Sequence, residues 1–196
     1  LEEARADLFA LYYIADPKMV ELGLLPDKDA YKAEFDSYIR NGLATQLVRI
    51  DLGKTITESH MQNRQLIALW CYEKGKDEKV IEKRVRDSKT YFVINDYDKL
   101  RELFGELLCE MQRIKSEGDY AAGKDIVERY AVNIDPELHK EIKERYETLN
   151  LKPYGGFVNP EIVPVVENGE VTDYKVTYPD NYLEQMLQYG KKYRTL

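Results

Sequence analysis

Histidine and cysteine are scarce in this chain, with two of each among 196 residues. Cys71 and Cys109 are too few and too far apart for a disulfide framework or a zinc ribbon. They stand in apolar helical contexts, Leu-Trp-Cys-Tyr and Leu-Leu-Cys-Glu, where free thiols are expected to be buried. No apolar run approaches the ~18 residues of a membrane-spanning helix, and nothing reads as a signal peptide. There is no phosphate-cradling glycine loop, no Gly-x-Ser-x-Gly elbow and no Cys/His nucleophile pair, which argues against a nucleophilic hydrolase. Acids outnumber bases by 36 to 29, for a net charge of −7. Only Lys191-Lys192-Tyr193-Arg194 is locally basic, so nucleic acid is not expected as a partner.

What is present suits a globular protein: 43% hydrophobic and 33% charged residues, enough apolar side chains to build a core. Sixteen tyrosines suggest half-buried aromatic positions or a groove lined with hydroxyls. The first residue is Leu1, already inside a helical pattern. The chain is therefore expected to be a piece of a longer protein whose N-terminal part is missing. Its location stays open: a cytoplasmic site is favoured and a periplasmic one is compatible.

Leu8, Leu11 and Ile14 give helical spacing from residue 2 to about 15. Asp16-Pro17 opens a short helix to Leu25, and Pro26-Asp27 a longer one through Tyr31, Phe35, Tyr38, Ile39, Leu43 and Leu47. Thr57 or Ser59 would cap a fourth, running to Gly75. Residues 80–85 and 90–94 flank Asp87-Ser88 as a β-hairpin. Helices resume over 97–116, 120–132 and 136–149. Residues 151–160 form a Gly/Pro-rich loop containing Lys-Pro-Tyr-Gly-Gly-Phe at 152–157. Then 162–166 and 171–177 flank Asn168-Gly169 as a second hairpin, followed by a closing helix over 182–189. The fold class is mainly α: a bundle-like helical lobe with two small β-hairpins, the second in a C-terminal tail. Residues 1–150 would be the helical part, and 151–196 a tail too small to bury its own core.

Residues 2–7 read Glu-Glu-Ala-Arg-Ala-Asp. Glu3 and Asp7 are one helical turn apart and share a face. A catalytic zinc of the His/His/Glu type takes two histidines from one helix and its third ligand from another. Glu3 would be that third ligand. Asp7 would accept the ring N–H of one ligand histidine, and Glu2 could do the same for the other. The same hexapeptide also reads as an ordinary acid-rich helix start, favoured by the helix dipole.

His60 and Arg64 form a second constellation, again one turn apart. Such a pair suits a hydrogen bond or a positive charge offered to a developing oxyanion, and equally a polar surface. His139, in Glu-Leu-His-Lys-Glu, is expected to be solvated on a charged helix face.

Together these stretches resemble the C-terminal part of the dipeptidyl peptidase III family, zinc exopeptidases that release dipeptides from peptide N-termini. That family's His-Glu-x-x-Gly-His motif is followed, further along its chains, by Glu-Glu-x-Arg-Ala-Glu/Asp. Residues 2–7 match the second motif throughout, and residues 8–25 resemble the bacterial branch. His60-Met61-Gln62-x-Arg64 resembles the family's active-site His/Arg helix. The resemblance implies zinc as cofactor, an oligopeptide substrate, Glu3 as zinc ligand, and Glu2 and Asp7 as partners of the ligand histidines. It also implies that His60 and Arg64 assist substrate and transition-state binding. The His-Glu-x-x-Gly-His helix is absent, so two zinc ligands and the catalytic glutamate would lie on the missing part. The chain alone is then expected to be inactive, with residues 1–150 in the zinc-bearing lobe and 151–196 closing onto the rest. Tyr154-Gly155-Gly156 stands where animal members carry a basic pair. The rival reading is a non-enzymatic helical interaction module.

Overall fold

The computed structural model describes residues 1–151, 158–179 and 181–194. They fall into two compact units, Leu1–Asn150 and Leu151–Leu196.

In the first unit, α1 (Glu2–Ile14) turns Ala4, Leu8 and Leu11 inward at four- and three-residue steps. It lies against α5 (Tyr97–Glu117), whose Leu100, Leu103, Phe104, Leu107, Met111 and Ile114 keep the same rhythm. Helix α4 (Ser59–Lys74) packs on both, with buried residues on nearly every side: Met61, Leu66, Ile67, Ala68, Trp70 and Cys71 among them. A helix apolar around most of its circumference belongs in the centre of a bundle. Phe35 of α3 (Tyr31–Leu43) meets Phe104 edge to face, with ring centroids 5.0 Å apart.

Helices α3 and α4 approach closely because of Gly42. A Cβ placed there would lie 2.4 Å from the Arg64 carbonyl oxygen and 2.7 Å from Ala68 Cβ. This contact sets where the first turns of α4, with their polar residues, stand against the rest.

The short α2 covers only Lys18–Glu21, not residues up to Leu25. The chain folds back after it, and Leu24 N–H donates to the Met19 carbonyl at 2.9 Å. The next helix starts at Tyr31, because the Asp27 side chain captures Asp29 N–H at 2.8 Å and holds a turn instead. It stops at Leu43, where Ala44 leaves helical geometry, and a tight turn over Thr45–Arg49 follows.

The first hairpin pairs β1 (Ile81–Arg86) with β2 (Lys89–Ile94), antiparallel, from Ile81 opposite Ile94 to Arg86 opposite Lys89. Asp87 and Ser88 both take positive φ, 49° and 57°, as a two-residue hairpin turn of this hand requires. Helix α6 (Tyr120–Val127) passes into a wider turn over Glu128–Val132. Gln65 of α4 donates to the Tyr130 and Asn133 carbonyls beside that turn, at 3.2 and 2.8 Å.

Helix α7 (Pro136–Glu147) is capped by Asp135 and corrects one expectation. His139 is not solvated but 2% exposed, its Nε2 3.0 Å from both the Leu47 and Ile50 carbonyls. The charged neighbours take the other faces: Glu141 accepts from Thr90 N–H and its hydroxyl at 2.7 and 2.6 Å, docking the hairpin. The expectation for cysteine holds for Cys71, which is buried, and fails for Cys109, which is exposed. Cys109 sits on α5 outside the stripe formed by Leu103, Leu107 and Met111.

The second unit holds β3 (Glu161–Glu167), β4 (Glu170–Thr177) and α8 (Tyr182–Tyr193). Asn168 and Gly169 make the turn at φ 52° and 86°. Val165, Val166, Val171 and Val176 are all exposed. Buried Gln185 clasps the Asn159 backbone, accepting from its N–H and donating to its carbonyl, each at 2.8 Å. Of the loop expected over residues 151–160, residues 152–157 lie outside the described residues.

Candidate active site

Glu58, rather than Thr57 or Ser59, caps α4. Its carboxylate accepts the His60 and Met61 backbone N–H groups at 3.0 and 2.9 Å. Those bonds, His60 N–H first, hold the Glu58 carboxyl below the usual carboxylate range. The cap fixes His60 in the first turn of α4, facing the N-terminal half of α1.

There His60 Nδ1 lies 3.3 Å from Glu3 Oε2. The two side chains are 57% and 50% exposed, so the contact adds little stability. What it provides is position: an open carboxylate and an imidazole, far apart in sequence, at one place on the surface.

One turn further along α1, Asp7 is anchored from two directions. Its Oδ2 accepts the Tyr38 hydroxyl of α3 at 2.8 Å and Asn63 Nδ2 of α4 at 2.6 Å. The Tyr38 hydroxyl is pushed far above its ordinary value, by burial first and then by the Asp7 charge. It therefore stays protonated and donates. Asp7 and Tyr38 also line a small cavity of about 180 Å³ with Glu34. Half-buried Arg64 acts on both sides of this region: its charge opposes the rise at Tyr38 and helps lower Glu58.

Glu2 points elsewhere. It lies about 100° around the helix from Glu3, and its carboxylate is engaged by Arg5 at 2.6 Å and by Lys115 of α5. It borders a groove of about 930 Å³ between α1 and α5, lined also by Phe9, Leu108 and Cys109. That groove is distinct from the Glu3–His60 pair.

The structure thus brings Glu3 to His60, sets Asp7 and Arg64 alongside, and leaves Glu2 on the α5 side. Among the described residues no cluster of three or more His, Cys, Asp or Glu side chains could hold a metal. A zinc site needs three protein ligands, so these residues fit one corner of such a site and do not close it. The Glu3 carboxylate is half exposed, and the Asp7 carboxylate is fixed by Tyr38 and Asn63.

Sequence reasoning missed Tyr38 and Asn63 as members of this site. One signal for Asn63 was present: it is a polar residue three positions after His60, in a stretch whose Met61, Leu66, Ile67 and Ala68 are core. For Tyr38 nothing but the folded crossing of α1 and α3 reveals the role.

The model of peptidase family M49 matches residues 1–184 of the chain. A comparison with curated proteins found no match.

Proposed function

The chain belongs to peptidase family M49, the dipeptidyl peptidase III family, and on that premise we propose that it is the C-terminal part of a zinc-dependent dipeptidyl peptidase. The substrate would be an oligopeptide, cleaved after its second residue. The observation that carries the reading is the approach of His60 to Glu3, 3.3 Å between residues from two separated motifs.

In this proposal Glu3 supplies one zinc ligand. Two histidines and a general-base glutamate come from a His-Glu-x-x-Gly-His helix of the longer protein. When bound, zinc supplies Lewis-acid polarisation at the scissile peptide. Asp7 accepts the ring N–H of one ligand histidine and so fixes its tautomer. Glu2 would serve the second histidine after releasing Arg5 or Lys115. His60 donates a hydrogen bond to substrate or transition state, and Arg64 places positive charge near the developing oxyanion. Residues 1–150 would form part of the catalytic lobe, with 151–196 packing onto the remainder. The isolated chain would be inactive, because one carboxylate cannot hold Zn²⁺ tightly.

Dipeptidyl-arylamides with free and with acetylated N-termini test this on the longer protein. Cleavage of the free substrates alone, with none by the isolated chain, is expected. Cleavage of neither class by the longer protein, or equal cleavage of both, contradicts the proposal.

A further inference from the structure

A cavity of about 260 Å³ lies in the first unit, where α4, the first hairpin and the start of α7 meet. Its walls come from two separate apolar clusters. Leu69, Tyr72 and Phe92 pack on the main core, and Ile134 and Leu138 on the smaller cluster around Leu47 and Ile142. All five are half-buried. Protein interiors leave few voids larger than a water molecule; at this seam an apolar lining stands open.

One polar group of the lining is buried and directed. Gln65 is 6% exposed, and its Nε2 is spent on the Tyr130 and Asn133 carbonyls at 3.2 and 2.8 Å. Turning the amide over would set its oxygen against two carbonyl oxygens, so the orientation is fixed. Oε1 is then turned away from both carbonyls and takes part in none of the described hydrogen bonds. It is the acceptor that Gln65 offers to the cavity it lines, and it asks for an N–H or O–H. On the solvent side stands a cation: Lys83, exposed, is paired with Phe92 across the hairpin and lines the same cavity. The acid in the lining, Asp135, has its Oδ1 spent on the Glu137 and Leu138 N–H groups.

We propose that this cavity binds a small aromatic acid, with a ring N–H or O–H donated to Gln65 Oε1, the ring on the apolar walls and the carboxylate towards Lys83. Size sets the class. An apolar cavity of about 150 Å³ takes benzene, so this one suits a bicyclic ring or a phenol with a short arm. The inference is independent of the peptidase reading, since it uses no residue of the Glu3–His60 region.

The test measures binding of indole-3-acetate to the full-length protein by saturation-transfer NMR. Two analogues run beside it: 1-methylindole-3-acetate, which lacks the donor, and 3-methylindole, which lacks the carboxylate. Affinity near about 1 mM is expected for a ligand of this size. Methylation of the ring nitrogen should weaken binding by about threefold or more, the loss of one net hydrogen bond. Lys83→Ala should weaken indole-3-acetate by about two- to fivefold and leave 3-methylindole unchanged. Leu138→Trp, which fills the cavity, should abolish binding of both. Should Leu138→Trp fail to fold, the ligand pair and the surface variant Lys83→Ala decide. Equal binding of indole-3-acetate and its N-methyl analogue overturns the inference. So does binding indifferent to Lys83→Ala and Leu138→Trp, or no saturable binding up to about 10 mM.

Discussion

Replacing His139 with leucine removes a buried donor while roughly keeping the volume. The Nε2 atom faces two carbonyl oxygens, those of Leu47 and Ile50, each at 3.0 Å. Both are acceptors, so this nitrogen must carry the hydrogen. An orphaned buried carbonyl would cost about 1–3 kcal/mol, but neither becomes an orphan. The Leu47 carbonyl still receives Ile50 N–H at 3.1 Å, and the Ile50 carbonyl still receives Lys143 Nζ at 2.9 Å. The loss in His139→Leu is therefore about 1 kcal/mol, one net hydrogen bond. His139→Ala adds a cavity and rises to roughly 2–4 kcal/mol. Adding Lys143→Met to His139→Leu strips the Ile50 carbonyl of both side-chain donors, and the pair should exceed the sum of its singles by about 1 kcal/mol. Urea unfolding followed by fluorescence reads this directly, because the chain's one tryptophan, Trp70, is buried in the same unit. A neutral His139→Ala, or strict additivity in the double variant, would refute the reasoning.

Two further predictions follow from single groups. The Glu58 carboxyl is lowered in the folded chain; its stabilisation is complete above the ordinary glutamate value and is lost as pH falls through the lowered one. Glu58→Ala should therefore cost about 1 kcal/mol at neutral pH, as lost N-caps do, and progressively less in thermal melts as pH falls through the lowered value. Of the two thiols, exposed Cys109 should react with a thiol reagent in the native chain, whereas Cys71, buried and with its thiol pushed up chiefly by that burial, should react only after unfolding. Equal native rates would contradict the burial pattern.

Periodicity and turn chemistry made most of the architecture legible. The repeats of α1, α4 and α5 and the dipeptides Asp87-Ser88 and Asn168-Gly169 report local geometry, which a sequence carries on its face. Glu3/Asp7 and His60/Arg64 were legible as pairs one helical turn apart, while the roles proposed for them come from the family resemblance. The family match places the chain in a peptidase family.

What stayed hidden depends on partners distant in sequence. The start of α3 was misread because Asp27 bonds to Asp29 N–H instead of capping a helix. His139 looks solvated among Glu137, Lys140 and Glu141, and its burial appears only when α7 lies against the turn over Thr45–Arg49. Tyr38 and Asn63 gain their meaning from a carboxylate on a third helix.

The central claim is that Glu3 is a zinc ligand. Metal analysis of the full-length protein, wild type beside Glu3→Ala, tests it most directly. The account predicts about one zinc per chain in the wild type, lost together with dipeptidyl-arylamide cleavage in the variant. A metal-free wild type, or a Glu3→Ala protein that keeps its zinc, would contradict it.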